Sequence, residues 1–237
     1  MAVPEDEERE RVYKVLLVGN GQVGKTSFVE RYVNNRFSTA YKQTVGVDFA
    51  VKVLHRNGDT IKLQLWDIAG ISLSCILLYW PIVYIIGQER AAQFTRVYYK
   101  GAAGCIIMFD LTNRKSFKDV QKWKVDLDSK VRNRGKKLPC LLLANKSDLG
   151  DRCVNIDEIN AMSKDNGFSN WIAISVKENK LVSQSMNRLV DILIAEDVGN
   201  DVEERSDNEC DGSLLELKQE KKKTKSNGQT SLQGCCV

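Results

Sequence analysis

Residues Gly19-Asn20-Gly21-Gln22-Val23-Gly24-Lys25-Thr26 have the spacing G-x-x-x-x-G-K-[S/T], and each residue type in it has work to do on a phosphate chain. Glycines let successive backbone N–H groups curl around an anion, and a helix starting at the end of the loop adds positive potential. In such a loop Gly21, Gln22, Val23 and Gly24 supply the cradle, Lys25 reaches the β and γ oxygens, the Thr26 hydroxyl binds Mg²⁺, and Ser27 lies beside it. Asp67-Ile68-Ala69-Gly70 places a carboxylate where it can hold Mg²⁺, usually through water, with the Gly70 amide near a γ-phosphate. Asn145-Lys146-Ser147-Asp148 adds a third element: the Asp148 carboxylate can accept both N1–H and the exocyclic amine of guanine. Adenine offers no such donor pair, so a wrong base leaves the carboxylate unpaired. Ser175-Val176-Lys177 is placed to close over the same base.

These groups act together only if the chain brings them to one place. VYKVLLV (12–18) is a short apolar, β-branched run that reads as a buried strand, and the stretch 26–34 after the glycine turn is helix-compatible. VDFAVKVLHR (47–56) and DTIKLQLWD (59–67) alternate around Asn57-Gly58, the pattern of an antiparallel hairpin with a positive-φ turn. GCIIMFDL (104–111), CLLLANK (140–146) and WIAIS (171–175) are apolar strands, separated by helical patterns at 116–132, 156–166 and 181–196. Strands alternating with helices predict an α/β fold with a mainly parallel, doubly wound sheet that binds its ligand beyond the carboxyl ends of the strands.

Composition narrows the field. A chain of 237 residues with 43% hydrophobic and 28% charged residues fits one domain plus tails. The net charge of +4 is small and the Lys and Arg are dispersed, which argues against a nucleic-acid partner. The acidic start MAVPEDEERER does not read as a cleaved secretory leader, and seven irregularly spaced cysteines suggest a reducing compartment without a disulfide framework. Cys75, Cys105, Cys140 and Cys153 read as small apolar residues, and Trp123 and Trp171 as packing residues. His55, the single histidine, sits in an alternating run and reads as a half-exposed strand residue, which leaves no histidine for nucleophilic catalysis.

With these motifs in view, residues 12–196 resemble a Ras-superfamily small GTPase, and several stretches resemble the Rab family in particular. They are Thr44-Val45-Gly46-Val47-Asp48-Phe49, Tyr98-Tyr99-Lys100-Gly101-Ala102 and the terminal Cys235-Cys236. Ile68 in the Asp-x-x-Gly motif, MFDLTN (108–113), LDSK (127–130) and SVKEN (175–179) are similar to the Rab branch of lysosome-related organelles and the trans-Golgi. The resemblance implies a G domain of the P-loop NTPase type: a six-stranded, mostly parallel sheet with one antiparallel edge strand and helices on both faces. It implies GTP or GDP as bound nucleotide with Mg²⁺, hydrolysis of GTP to GDP and phosphate, and regulation of vesicle and organelle traffic. Thr44 is then the switch threonine that binds Mg²⁺ and senses the γ-phosphate, and Phe37 packs against guanine. Release of Thr44 and the Gly70 region when the γ-phosphate is lost would expose or withdraw an effector surface.

Partners expected from the same resemblance are effectors of the GTP state, an exchange factor, a GTPase-activating protein, a Rab escort protein and a GDP dissociation inhibitor. Residues 1–11 and 197–237 read as tails, the latter polar, acidic and then basic in KQEKKKTK. Cys235 and Cys236 match the Rab double prenylation site, where two lipid chains suffice for stable anchoring, with the Lys221–Lys225 cluster adding attraction to an anionic leaflet. The chain is thus expected on the cytoplasmic face of intracellular membranes, on lysosome-related organelles, the trans-Golgi or endosomes, with a cytosolic pool.

One segment departs from the pattern. From 68 to 88 there is no formal charge, and ISLSCILLYWPIVYIIG (71–87) is almost wholly apolar. In the family a glutamine directly follows the Asp-x-x-Gly glycine and orients the attacking water; here Ile71 follows Gly70, and Gln88-Glu89-Arg90 stands where removal of 71–87 would rejoin the motif. The segment therefore reads as an insertion: a splice or gene-model product, or an apolar loop that docks a partner or dips into a membrane. Pro81 interrupts it, and a true span would place the phosphate loop and the guanine-selecting loop on opposite sides of a bilayer. Loop lengthening costs about 0.6 kcal/mol per doubling, so nucleotide binding is expected to survive. Hydrolysis through Gln88 tolerates less displacement, so the alternative to an active GTPase is a GTP-binding interaction protein with impaired turnover.

Overall fold

A computed structural model of the protein describes residues 9–44, 46–56, 58–70, 97–131 and 135–198. The apolar segment 71–87, Gln88, Val45, Asn57, residues 1–8 and the tail with Cys235 and Cys236 lie outside the described residues.

Six strands form one sheet: β1 (Glu10–Val18), β2 (Val47–Arg56), β3 (Asp59–Ile68), β4 (Gly104–Asp110), β5 (Cys140–Asn145) and β6 (Asn170–Ala173). Their order is β2-β3-β1-β4-β5-β6. β2 and β3 pair antiparallel, from Val47 opposite Ile68 to Arg56 opposite Asp59, and the other neighbours run parallel. This is the sheet that the sequence leads one to expect, with the antiparallel hairpin at its edge. Gly58 turns that hairpin at φ +82°, a conformation that a residue without Cβ adopts at no steric cost.

Burial separates edge from centre. All of β4 and β5 is buried, as parallel strands covered on both faces must be. In β3 the inward Ile61, Leu63 and Leu65 are fully buried, whereas the alternate Lys62, Gln64 and Trp66 are half-buried. β2 carries exposed Phe49, Val51 and Val53.

Among the described residues the helices include α1 (Lys25–Asn34), α2 (Arg114–Lys118), α3 (Val120–Lys130), α4 (Ile156–Asp165) and, in the first compact unit, α5 (182–193). One face of the sheet gathers Leu16, Val18, Cys105, Ile107 and Phe109 against Phe117, Val120, Leu127 and Ile159 of α2, α3 and α4. On the opposite face a Cβ at Gly104 would lie 3.1 Å from Leu193 and 3.5 Å from Leu189 of α5. The helical stretch expected at 116–132 is two helices, broken at Asp119. The side chain of Asp119 is engaged by Asn20 of the loop after β1 at 2.8 Å and by Lys122 of α3 at 2.7 Å. Asn113 caps α2 by accepting from Ser116 N–H, and Asn155 with Glu158 forms a capping box at α4. The chain divides into two compact units, Met1–Leu193 and Ile194–Val237; the second is described only over 194–198, which are helical.

Candidate functional site

The loop between β1 and α1 is shaped by two positive-φ glycines, Gly19 at +139° and Gly24 at +100°, and by Gln22 at +65°. Space forces glycine as strongly as conformation does. A Cβ at Gly19 would meet the Met108 carbonyl at 2.2 Å, and one at Gly24 would meet Asn145 Nδ2 at 2.5 Å. Lys25 opens α1, and its buried Nζ donates back to the carbonyls of Gly19 at 2.8 Å and Asn20 at 2.9 Å. Burial lowers the Lys25 ammonium to about 8, against the opposing attraction of Asp67.

Beside it, three oxygen-bearing side chains from distant parts of the chain converge. Thr26 Oγ1 lies 2.7 Å from Thr44 Oγ1 and donates to Asp67 Oδ2. Asp67 is buried, and desolvation raises its pKa above the ordinary carboxylate value, opposed by Thr26 and Lys25. Its other oxygen, Oδ1, is buried without a hydrogen-bond partner. Buried carboxylate oxygens are normally satisfied, so an orphan on a carboxylate whose other oxygen meets the Thr26 hydroxyl fits a hard, oxygen-seeking divalent cation. Gly70 closes this end: a Cβ there would lie 2.4 Å from Asn20 C and Gly21 N.

The far end is built by the loops after β5 and β6. Asn145 donates from Nδ2 to the Val23 carbonyl at 2.8 Å, and its Oδ1 accepts the Val176 N–H at 3.2 Å. One buried amide thus ties the phosphate loop to both base loops. Ser175 Oγ donates to Asp148 Oδ1 at 2.7 Å, orienting the carboxylate. Lys146 adopts φ +65°, and its Nζ pairs with Asp110 Oδ2 at 2.6 Å. From α1, Arg31 donates to the carbonyls of Val176 and Lys177, both at 3.1 Å, and lies 5.5 Å from the ring centre of Phe37.

A cavity of about 940 Å³ joins the two ends, within the size range of small-molecule sites. Of the residues singled out from sequence, its walls include Gly21, Gln22, Gly24, Lys25, Thr26, Ser27, Phe37, Thr44, Gly70, Asn145, Lys146, Asp148, Val176 and Lys177. Val23 and Ser175 stand behind the wall, acting through Asn145 and Asp148. Gln88 lies outside the described residues. Sequence reasoning passed over Arg31, Asp110 and Asn20. Each acts on a partner far along the chain, so no local spacing marks it. Trp123, read as a packing residue, packs against the core cluster and also donates its indole N–H to Asn20.

A parallel sheet with a glycine loop feeding a helix N-terminus, at the carboxyl ends of its strands, places the chain in the class of P-loop nucleotide-binding proteins. The Ras family profile matches residues 14–72 and 81–195, skipping 73–80 within the apolar segment. The chain is similar to Ras-related protein Rab-7L1 of Rattus norvegicus, 49% identical over 185 residues that cover 77% of this chain and 82% of that one. Ras-related protein Rab-32A of Dictyostelium discoideum is 43% identical over 202 residues, 82% of this chain and 84% of that protein. Ras-related protein Rab-32 of Homo sapiens is 41% identical over 196 residues, 81% and 80% of the two chains. The chain belongs to the Ras family, as a Rab-type small GTPase related to these relatives. It is a GTP-hydrolysing switch that regulates membrane traffic.

Proposed function

We propose that the cavity holds GTP or GDP with its phosphates in the loop 19–26 and guanine between Asp148, Lys146, Phe37 and the 175–177 loop, with Mg²⁺ held by Thr26, Thr44 and Asp67. The observation that carries this reading is the convergence of Thr26 and Thr44, which line one end of the cavity, with the buried Asp67 behind them, its Oδ1 orphaned, while the other end presents an Asp148 carboxylate fixed by Ser175. When bound, Mg²⁺ neutralises charge on the β and γ oxygens. Lys25 is already buried beside the loop and exchanges two carbonyl acceptors for phosphate oxygens. The Gly70 amide adds a donor at the γ-phosphate end, and Gln88 orients the attacking water for in-line displacement.

Thr44 precedes β2 in a stretch without regular structure, so its order depends on what its hydroxyl meets at the site. That dependence makes it a switch: a γ-phosphate holds Thr44 and Gly70 in place, and hydrolysis releases them. The exposed Phe49, Val51 and Val53 on β2, next along the chain, form an apolar stripe suited to effectors of the GTP state. An exchange factor, a GTPase-activating protein, a Rab escort protein and a GDP dissociation inhibitor complete the cycle.

The domain limits of this reading are 12–196 for the GTPase, with 1–11 and 197–237 as tails. Geranylgeranyl groups on Cys235 and Cys236 make the protein a peripheral occupant of the cytoplasmic face of lysosome-related, trans-Golgi or endosomal membranes. Among the described residues no helix is long and apolar enough to cross a membrane.

The test is base preference. The purified full chain in Mg²⁺ is titrated with fluorescent GDP and fluorescent ADP. A preference for GDP of about a hundredfold or more is expected, to be lost in Asp148→Ala. Equal affinity of the wild type for the two nucleotides overturns the reading.

A further inference from the structure

The first variable position of the phosphate loop carries a side chain gripped at both ends. Asn20 Nδ2 donates to Asp119 Oδ2 at 2.8 Å, and the Trp123 indole Nε1–H donates to Asn20 Oδ1 at 2.8 Å. Asp119 is the residue at which the α2 and α3 helices break, and Trp123 packs into the core cluster one turn further on. The main chain of the same residue is engaged on its other side. The Asn20 carbonyl accepts from Lys25 Nζ at 2.9 Å, and its peptide lies so close to Gly70 that any Cβ there would collide with it.

The partners dictate the amide. An ionised Asp119 only accepts, and an indole N–H only donates, so the side chain between them must donate at one end and accept at the other. A carboxylate would face the Asp119 carboxylate, and an apolar residue would take this partner from the indole N–H and from Asp119 Oδ2, leaving Asp119 only the Lys122 pairing on Oδ1. Asn20 itself does not line the cavity. It connects the α2–α3 junction to the two groups that flank the phosphates, Lys25 and Gly70.

We propose that Asn20, clamped by Asp119 and Trp123, is a positioning residue for nucleotide retention: the clamp fixes the Asn20–Gly21 peptide against which Lys25 and Gly70 rest. This rests on the nucleotide-binding reading given above, and goes beyond it by assigning function to a network outside the pocket wall.

The experiment follows release of fluorescent GDP from the Mg²⁺-loaded full chain. Asn20→Asp is expected to release GDP about tenfold faster, through two facing carboxylates. The double variant Asn20→Asp/Asp119→Asn exchanges donor and acceptor while keeping the indole bond, and its release is expected within about twofold of wild type. Trp123→Phe deletes one donor and is expected to accelerate release about threefold, which keeps the proposal testable should Asn20→Asp not fold. Phe109→Leu serves as the comparison for general destabilisation: it lowers the melting temperature while its release rate stays within about twofold of wild type. Wild-type release rates in Asn20→Asp and Trp123→Phe, or a double variant as fast as Asn20→Asp alone, overturn the clamp while leaving the pocket reading intact. A wild type that holds no GDP overturns both.

Discussion

Thr26 and Thr44 stand 18 positions apart in the chain, yet their hydroxyl oxygens are 2.7 Å from each other. The first is fixed in the opening turn of α1, while the second belongs to the irregular stretch before β2. Asp67, at the end of β3, accepts from Thr26 and completes the cluster. Removing a ligand from such a set costs metal affinity, and with it the metal's hold on the nucleotide. In Asp67→Asn, GDP release is expected to accelerate at least about tenfold and to lose most of its response to chelation of Mg²⁺. Stopped-flow release with and without a chelator checks this; a variant as sensitive to chelation as wild type would exclude Asp67 from the metal site.

Ser175, behind the cavity wall, donates to Asp148 Oδ1 at 2.7 Å, while its Oγ accepts the Glu178 N–H at 3.0 Å. Loss of such a bond to a charged acceptor is worth about 1 to 2 kcal/mol. Ser175→Ala is therefore expected to weaken GDP about five- to thirtyfold while leaving the already weak ADP binding unchanged. Isothermal titration with both nucleotides separates the two effects, since a general collapse of the site weakens both.

The buried Lys25 ammonium, lowered to about 8, gives the fold a pH signature. Between about pH 8 and the ordinary lysine value of 10.5, the unfolded chain holds a proton at this position that the nucleotide-free fold has shed. The contribution of Lys25 to the stability of that form therefore rises with pH across this window. The total gain approaches about 3 kcal/mol, from the size of the shift. Denaturant titrations of nucleotide-free protein at several pH values should show wild type gaining stability relative to Lys25→Met across this window, a comparison in which the opposite contributions of Cys105 and Tyr99, both raised by burial, cancel. Nucleotide binding runs the other way: phosphates favour the charged ammonium, so the complex takes up a proton and GDP affinity declines as pH climbs above 8.

Phe109 is fully buried in β4, its ring centre 5.1 Å from that of Phe117 on α2. Phe109→Ala is expected to cost about 3 to 5 kcal/mol through lost burial and the cavity left behind. Chemical denaturation in saturating GDP measures it. A cost below about 1 kcal/mol would mean that α2 and α3 repack freely over β4.

Much of the architecture was open to reading in one dimension because it repeats a local period. The buried runs of β4 and β5, the alternation of β3 and the Gly58 turn each follow from residues a few positions apart. The break at Asp119 escaped such reading. No proline or glycine marks it, and Asn20, which engages its carboxylate, lies 99 positions away. Asp110 was invisible for the same reason: its pairing with Lys146 joins the ends of two strands.

The sequence by itself determined the chemical inventory: a glycine loop, one lysine, two hydroxyls, two carboxylates and the order of strands and helices that carry them. Those features are set by steric and hydrophobic rules acting over short spans. Tertiary structure alone decided that Asn145 bonds to both Val23 and Val176, that Asp67 keeps one buried oxygen without a partner, and that Asn20 is held from α3. Hydrogen bonds of 2.8 Å between residues a hundred positions apart depend on the packing of whole elements, and sequence spacing carries no record of that distance.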